Sequence, residues 1–180
     1  MGFVKSMSVA AALVLSAISV HSQSIDIYPK PQTIAWGNET AFNNNASYTL
    51  TGSETADTDA VSLFKKNFST ENGGVEVIIG ERGDEAVAGY ESLIPEKAEG
   101  YYLAVNGNKV VIAGNDGSGT FYGVQTFIQI ASQPEVMNVT VTDYPSVPQR
   151  GLVEGYYGNP YSKENRMGLF EMFGRQKMNV

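Results

Sequence analysis

Apolar and polar positions alternate in two distinct rhythms along the chain. From Ile25 to Phe42 the apolar residues Ile34, Trp36 and Phe42 are spaced along a stretch that Tyr28-Pro29-Lys30-Pro31 keeps extended. Tyr48-Thr49-Leu50-Thr51 reads as a short strand. From Asp57 to Phe68 the rhythm changes to three and four, with Ala60, Val61, Phe64 and Phe68 on one helical face. Val75 to Ile79, Val-Glu-Val-Ile-Ile, has the β-branched content of a strand, and Asp84 to Leu93 predicts a short helix that ends before Pro95.

Gly100 to Val105 and Lys109 to Ala113 flank Asn106-Gly107, a pair whose backbone suits the tight turn of a hairpin. A second amphipathic helix is expected over Gly119 to Ala131, with Phe121, Val124, Ile128 and Ala131 on one face, followed by a strand over Val136 to Val141. Strands and helices thus intermix around a sheet with antiparallel neighbours. The expected fold class is α/β, an α+β domain with a mixed sheet and helices packed on it.

Asp143 to Pro148 carries two prolines and reads as a linker. Beyond it, Arg150 to Glu154 predicts a short strand and Gly155 to Tyr161 a loop. Ser162 caps a helix running to about Gln176, and Lys177 to Val180 leads toward another strand.

The first residues follow neither rhythm. Lys5 precedes an alanine-rich apolar run from Val9 to Val20, shorter than the roughly 20 residues that cross a bilayer. This is the layout of a signal peptide, with cleavage expected after Ser22, so that residues 1–22 form the signal and the protein is exported, to the periplasm or beyond. Removing them takes away one lysine and no acid, which moves the formal charge from −7 to −8. Nucleic acid is therefore an unsuitable partner. The chain has no cysteine, which fits a bacterial envelope or secreted protein, and its one histidine, His21, lies in the signal. Serine–histidine–aspartate and cysteine–histidine nucleophiles are excluded within the mature residues, and ordinary zinc sites with them; no cofactor or metal is expected.

Gly114 to Thr120 lies between a strand and a helix but lacks the order of a phosphate loop, so it reads as a turn feeding a helix. Asp116 reads as a turn residue, and Glu81, Asp84 and Glu85 as a solvated turn. Val153-Glu154-Gly155-Tyr156-Tyr157-Gly158 differs from these: a carboxylate, flexible backbone and two rings stand where a strand gives way to a helix. Rings suit the flat faces of sugars, and glycine lets backbone groups approach hydroxyls. Tyrosines that only pack under a loop are the alternative, the commoner fate of aromatic residues, and composition alone leaves the two readings open.

Val-Glu-Gly-Tyr-Tyr-Gly-x-Pro-Tyr-Ser, preceded by Asp143-Tyr144-Pro145 and Arg150-Gly151 and followed by Lys177-Met178-Asn179, resembles the start of the catalytic barrel of family 84 glycoside hydrolases. Tyr156 and Tyr161 stand where that family reads phenylalanine and tryptophan. Residues 23–147 resemble the small α/β domain that precedes the barrel in bacterial members of families 20 and 84, through Glu99-Gly100-Tyr101-Tyr102-Leu103, Ala113-Gly114-Asn115-Asp116 and Thr126-Phe127.

The resemblance implies a retaining exo-β-N-acetylglucosaminidase acting on terminal β-linked N-acetylglucosamine of glycans or glycoproteins. In it the substrate's own acetamido carbonyl attacks the anomeric carbon beside an aspartate pair. It implies that Gly155 and Tyr157 contact the sugar, that Glu154 and Tyr156 support them, and that Asp143 and Arg150 form a structural junction. No adjacent Asp-Asp occurs in the chain, so the catalytic pair is expected beyond Val180. Residues 148–180 are then the first βα unit of a TIM-type barrel, and these residues alone are expected to be inactive. A family 20 β-hexosaminidase, a hyaluronan-degrading glucosaminidase and a free-standing glycan-binding envelope domain are the rival readings.

Overall fold

The computed structural model describes residues 25–71, 73–155 and 157–180. The expected signal peptide and Tyr156 lie outside the described residues. Six strands form one mixed sheet: β1 (Thr33–Asn43), β2 (Tyr48–Leu50), β3 (Val75–Glu81), β4 (Tyr101–Asn106), β5 (Lys109–Gly114) and β6 (Glu135–Asp143), in the order β1-β6-β4-β5-β3-β2. The helices are α1 (Thr58–Asn67), α2 (Gly117–Ile130) and α3 (Lys163–Arg175), and a 3₁₀ segment spans Glu85–Leu93.

The Asn106-Gly107 hairpin forms as expected, with Gly107 at φ 52° and Asn106 opposite Lys109. β6 adds antiparallel to β4, and β1 to β6, while β2, β3 and β5 run parallel. Each parallel pair needs a crossover, and α1, between β2 and β3, supplies one. The helices start where aspartates cap them: Asp57 accepts the amide of Ala60 at 2.8 Å, and Asp116 that of Gly119 at 2.8 Å.

Alternation along the strands builds two apolar layers. Tyr101, Leu103 and Val105 of β4, with Val110 and Ile112 of β5, face α1 and α2, where they join Phe64, Val124 and Phe127. Tyr102, Val111 and Ala113 point to the opposite face and meet Val87 and Ile94 on and beside the 3₁₀ segment. Burial of this alternating set at about 25 cal/mol per Å2 is the main force holding the sheet together.

Two expectations change. The helix over Asp84–Leu93 is 3₁₀: Arg82 donates to the carbonyl of Ile94 at 2.7 Å and the amide of Gly83 to Glu91 at 2.9 Å, which ties a nine-residue excursion back onto the end of β3. The strand over Arg150–Glu154 is not formed. Only the carbonyl of Arg150 is engaged in ladder fashion, by the amides of Asn179 and Val180 at 2.8 and 3.1 Å, and Val153 is 94% exposed. A strand needs a neighbour along its length, and the described residues supply none there.

Candidate functional site

Beyond β6 the chain leaves the sheet; the described residues between it and α3, 144–155 and 157–162, have no helix or strand. Ser162 caps that helix by accepting the amide of Asn165 at 3.2 Å. Glu154 is held against α3: Arg166 Nε and Nη2 donate to its two carboxylate oxygens at 3.1 and 2.8 Å. The two-pronged hydrogen bonding from Arg166 holds the Glu154 carboxyl below its ordinary range. Tyr157 stands fully in solvent, and a Cβ placed on Gly155 would meet nothing closer than the Tyr157 ring at 3.7 Å. The protein's own packing therefore demands neither the glycine nor the ring. Gly155, Tyr157 and Glu154 are brought together on one exposed loop beside the amino-terminal half of α3.

A groove of about 550 Å3 is lined by Leu152 and Glu154, by Arg166, Phe170 and Phe173 of α3, and by Met178. α3 buries none of its residues, and Met167 and Phe170 are more than half exposed.

The loop's base is joined to the sheet by a dense polar junction. Asp143, at the end of β6, accepts from Lys177 Nζ at 2.8 Å through Oδ2, and its Oδ1 accepts the amides of Gln32 and Tyr144 at 3.1 and 2.9 Å. Lys177 Nζ also donates to Tyr101 Oη at 2.8 Å, and that hydroxyl lies 2.6 Å from Thr126 Oγ1. Burial drives the Lys177 amine below its ordinary range, with Asp143 opposing the shift, and burial together with the Asp143 charge drives the Tyr101 phenol well above its own. A second pair sits beside the first. Glu99 forms a salt bridge with Arg150 and accepts from Asn179 Nδ2 at 2.7 Å. Arg150 Nε donates to the carbonyl of Lys177 at 2.7 Å, and its guanidinium lies 5.9 Å from the centre of the Tyr122 ring.

Asp143 and Arg150 both stand in this polar junction. Lys177, Glu99 and Tyr101 were not singled out as its other members, because a lone charge beside apolar neighbours carries no local signal of burial. Their backbone was equally unforeseeable. Glu99 and Lys177 are the non-glycine residues with positive φ among the described residues, at 60° and 54°, a conformation that costs about 1–2 kcal/mol without glycine. No group of three or more His, Cys, Asp or Glu side chains able to hold a metal is found among the described residues.

A six-stranded mixed sheet carrying α1 and α2 on one face is thus joined through a polar junction to a glycine- and tyrosine-bearing loop. Residues 24–144 match the model of glycosyl hydrolase family 20, domain 2, and residues 150–180 match that of beta-N-acetylglucosaminidase. The first match covers more than half of the chain, and the chain belongs to that domain family.

The solved structure of CpGH84B is similar at a TM-score of 0.71 and 33% identity, over 87% of this chain and 29% of that one. CpGH84D gives 0.74 and 26%, over 87% and 30%. A curated β-hexosaminidase of Porphyromonas gingivalis is 26% identical over 149 residues, 76% of this chain and 19% of that protein. The chain thus spans about a fifth of the length of the curated relative and under a third of these solved chains. The family 20 exo-β-N-acetylglucosaminidase of Vibrio harveyi, at 18% identity and a TM-score of 0.65, shares the fold.

Proposed function

We propose that this chain is the amino-terminal part of an exported, retaining exo-β-N-acetylglucosaminidase of the family 84 type. Residues 23–147 serve as its companion domain and residues 148–180 open its catalytic barrel. The observation that carries the reading is the succession of two matches along one chain: a family 20 domain 2 over residues 24–144, then a β-N-acetylglucosaminidase model over residues 150–180. The likeness to CpGH84B at 33% identity supports family 84 in particular. The family 20 domain 2 match and the curated β-hexosaminidase relative equally support a family 20 enzyme, and that is the second reading.

In the first reading Gly155 offers backbone groups to a sugar hydroxyl and Tyr157 borders the acetamido group. Glu154, fixed by Arg166, and Tyr156 hold the loop's shape. The apolar face of α3, with Met167, Phe170 and Phe173, packs against later barrel units. The reacting carboxylates lie outside these residues, and the acetamido oxygen of the substrate is the nucleophile. No metal or cofactor takes part.

The test is turnover of a small aryl β-N-acetylglucosaminide by the full-length protein, with the first-formed anomer read by NMR. Retention, and a rate that falls steeply as fluorine is placed on the substrate's N-acetyl methyl group, are expected, because fluorine weakens the attacking carbonyl. Inversion, or indifference to fluorine, refutes substrate assistance. Comparing the aryl substrate with hyaluronan separates an exo-glucosaminidase from a polymer-degrading enzyme, and an added N-acetylgalactosaminide tests the broader hexosaminidase alternative.

A further inference from the structure

Glu99 and Lys177 share a backbone oddity and a location. Both adopt left-handed φ values, and both side chains end in the junction between the sheet and the loop-bearing unit. Lys177 occupies the position after α3 where a helix-ending turn favours glycine: its amide bonds the carbonyl of Gly174 at 3.1 Å, and the amide of Met178 bonds that of Phe173 at 2.9 Å. Nothing in that turn requires a lysine. The side chain does have a task, running past the Tyr101 ring, 5.0 Å from its centre, to reach Asp143. Glu99 likewise stands in a turn that would accept glycine, its amide held by Asp116 at 2.7 Å, while its carboxylate takes Arg150 and Asn179. Strained positions persist where surrounding contacts hold them, and here the side-chain contacts of both residues are made across the junction.

The same contacts govern the loop. Arg150 and Asn179 bracket the loop-bearing unit and are bonded to each other, Arg150 N to Asn179 Oδ1 at 2.9 Å and Asn179 N to Arg150 O at 2.8 Å. Five residues past Arg150 comes Gly155. By the other route, Glu154 is tied to Arg166 of α3, and the end of α3 is anchored through Lys177. The first of these routes passes through Glu99 and the second through Lys177; α3 and its end also meet the sheet body where Tyr122 Oη donates to the carbonyl of Met178 at 3.2 Å and at the exposed Lys66–Glu171 pair.

We infer that Glu99 and Lys177 are positioning residues, which set the Glu154–Tyr157 loop against the sheet and make the companion domain part of the apparatus that presents this loop to a glycan. The functional half of this inference rests on the sugar-contact reading of the loop; the structural half does not. Lys177→Gly and Glu99→Gly in the full-length protein remove the side chains while easing the backbone. Two readouts are needed: amide hydrogen exchange over residues 150–158, and KM and kcat on the aryl β-N-acetylglucosaminide.

Exchange over residues 150–158 should quicken about tenfold or more while β3 stays protected. KM should rise about fivefold, with a smaller change in kcat. Should a glycine variant fail to fold, Glu99→Gln, which keeps the volume and loses the charge, is read in the same way. Unchanged exchange overturns the clamp whatever the activity. Faster exchange with unchanged KM and kcat overturns the positioning role. A wild-type protein that turns over no glucosaminide overturns the sugar reading and with it the functional half, and the exchange data still decide the clamp.

Discussion

Tyr48 offers a measurement in which the structure dictates both sign and size. Its ring lies among Phe42, Phe64, Phe68 and Phe127, at centroid distances of 5.9, 5.6, 5.1 and 6.0 Å, and 1% of the residue is exposed. Its hydroxyl is the one buried side-chain polar atom without a hydrogen-bond partner among the described residues. An orphaned hydroxyl costs about 1–3 kcal/mol, whereas the ring contributes by packing. Tyr48→Phe keeps the ring and should stabilise the domain by about 1–2 kcal/mol at pH 7.

The same burial pushes the phenol up to about 12 from 10.0. With the folded value above the unfolded one, the tyrosine's contribution is whole below pH 10 and is lost as pH rises from 10 toward 12, in all about 2.7 kcal/mol and about half of that by pH 11. The phenylalanine variant has no such loss, so its advantage should widen by about 1.4 kcal/mol between pH 8 and pH 11. Tyr101, whose phenol is also raised, weakens both proteins alike in that range and drops out of the difference. Urea denaturation followed by tryptophan fluorescence at the two pH values gives both numbers. A variant less stable than the wild type at pH 7, or an advantage that does not grow by pH 11, refutes the orphaned hydroxyl.

Asp116→Ala removes the cap that holds the amides of Gly119 and Glu99, and should lower stability by about 1–2 kcal/mol in the same urea experiment. Gly119→Ala would set a Cβ 2.1 Å from the carbonyl oxygen of Gly100, so a loss of about 3 kcal/mol or more, or failure to accumulate as soluble protein, is expected. Lys177→Met leaves the Asp143 carboxylate buried without its cation and should cost about 3–5 kcal/mol by thermal or urea unfolding. Tyr157→Ala should leave stability within about 0.5 kcal/mol, because the ring is fully exposed, yet raise KM for the glucosaminide in the full-length protein.

Local chemistry made most elements legible. Ser162 announces one helix start and the rhythm of three and four announces two others, while Asn106-Gly107 fixes a hairpin; Asp116, read as a turn residue, proves to be the cap of α2. Strand order was not legible. That β2 lies parallel to β3, and β3 to β5, depends on contacts between residues such as Val77 and Val110 that no short window contains. The 3₁₀ form of Glu85–Leu93 was hidden for a similar reason, since Arg82 and Ile94 decide it from outside the segment. At the junction, Asp143 and Arg150 drew attention only through the family resemblance. Lys177 was read only as part of the approach to a further strand, because its burial is created by Tyr101 and Asp143 from far along the chain.

The two rims of the sheet bear on how the protein behaves in a crowd of its own copies. One rim is β2, three residues long; the other is β1, whose pairing with β6 slips between Trp36 and Thr40 and again between Thr40 and Phe42. An intact straight rim offers a row of unspent amides and carbonyls on which a stranger's strand can grow. Here one rim is too short to template such growth and the other is broken in rhythm, so sideways accretion from sheet to sheet finds no footing at either side.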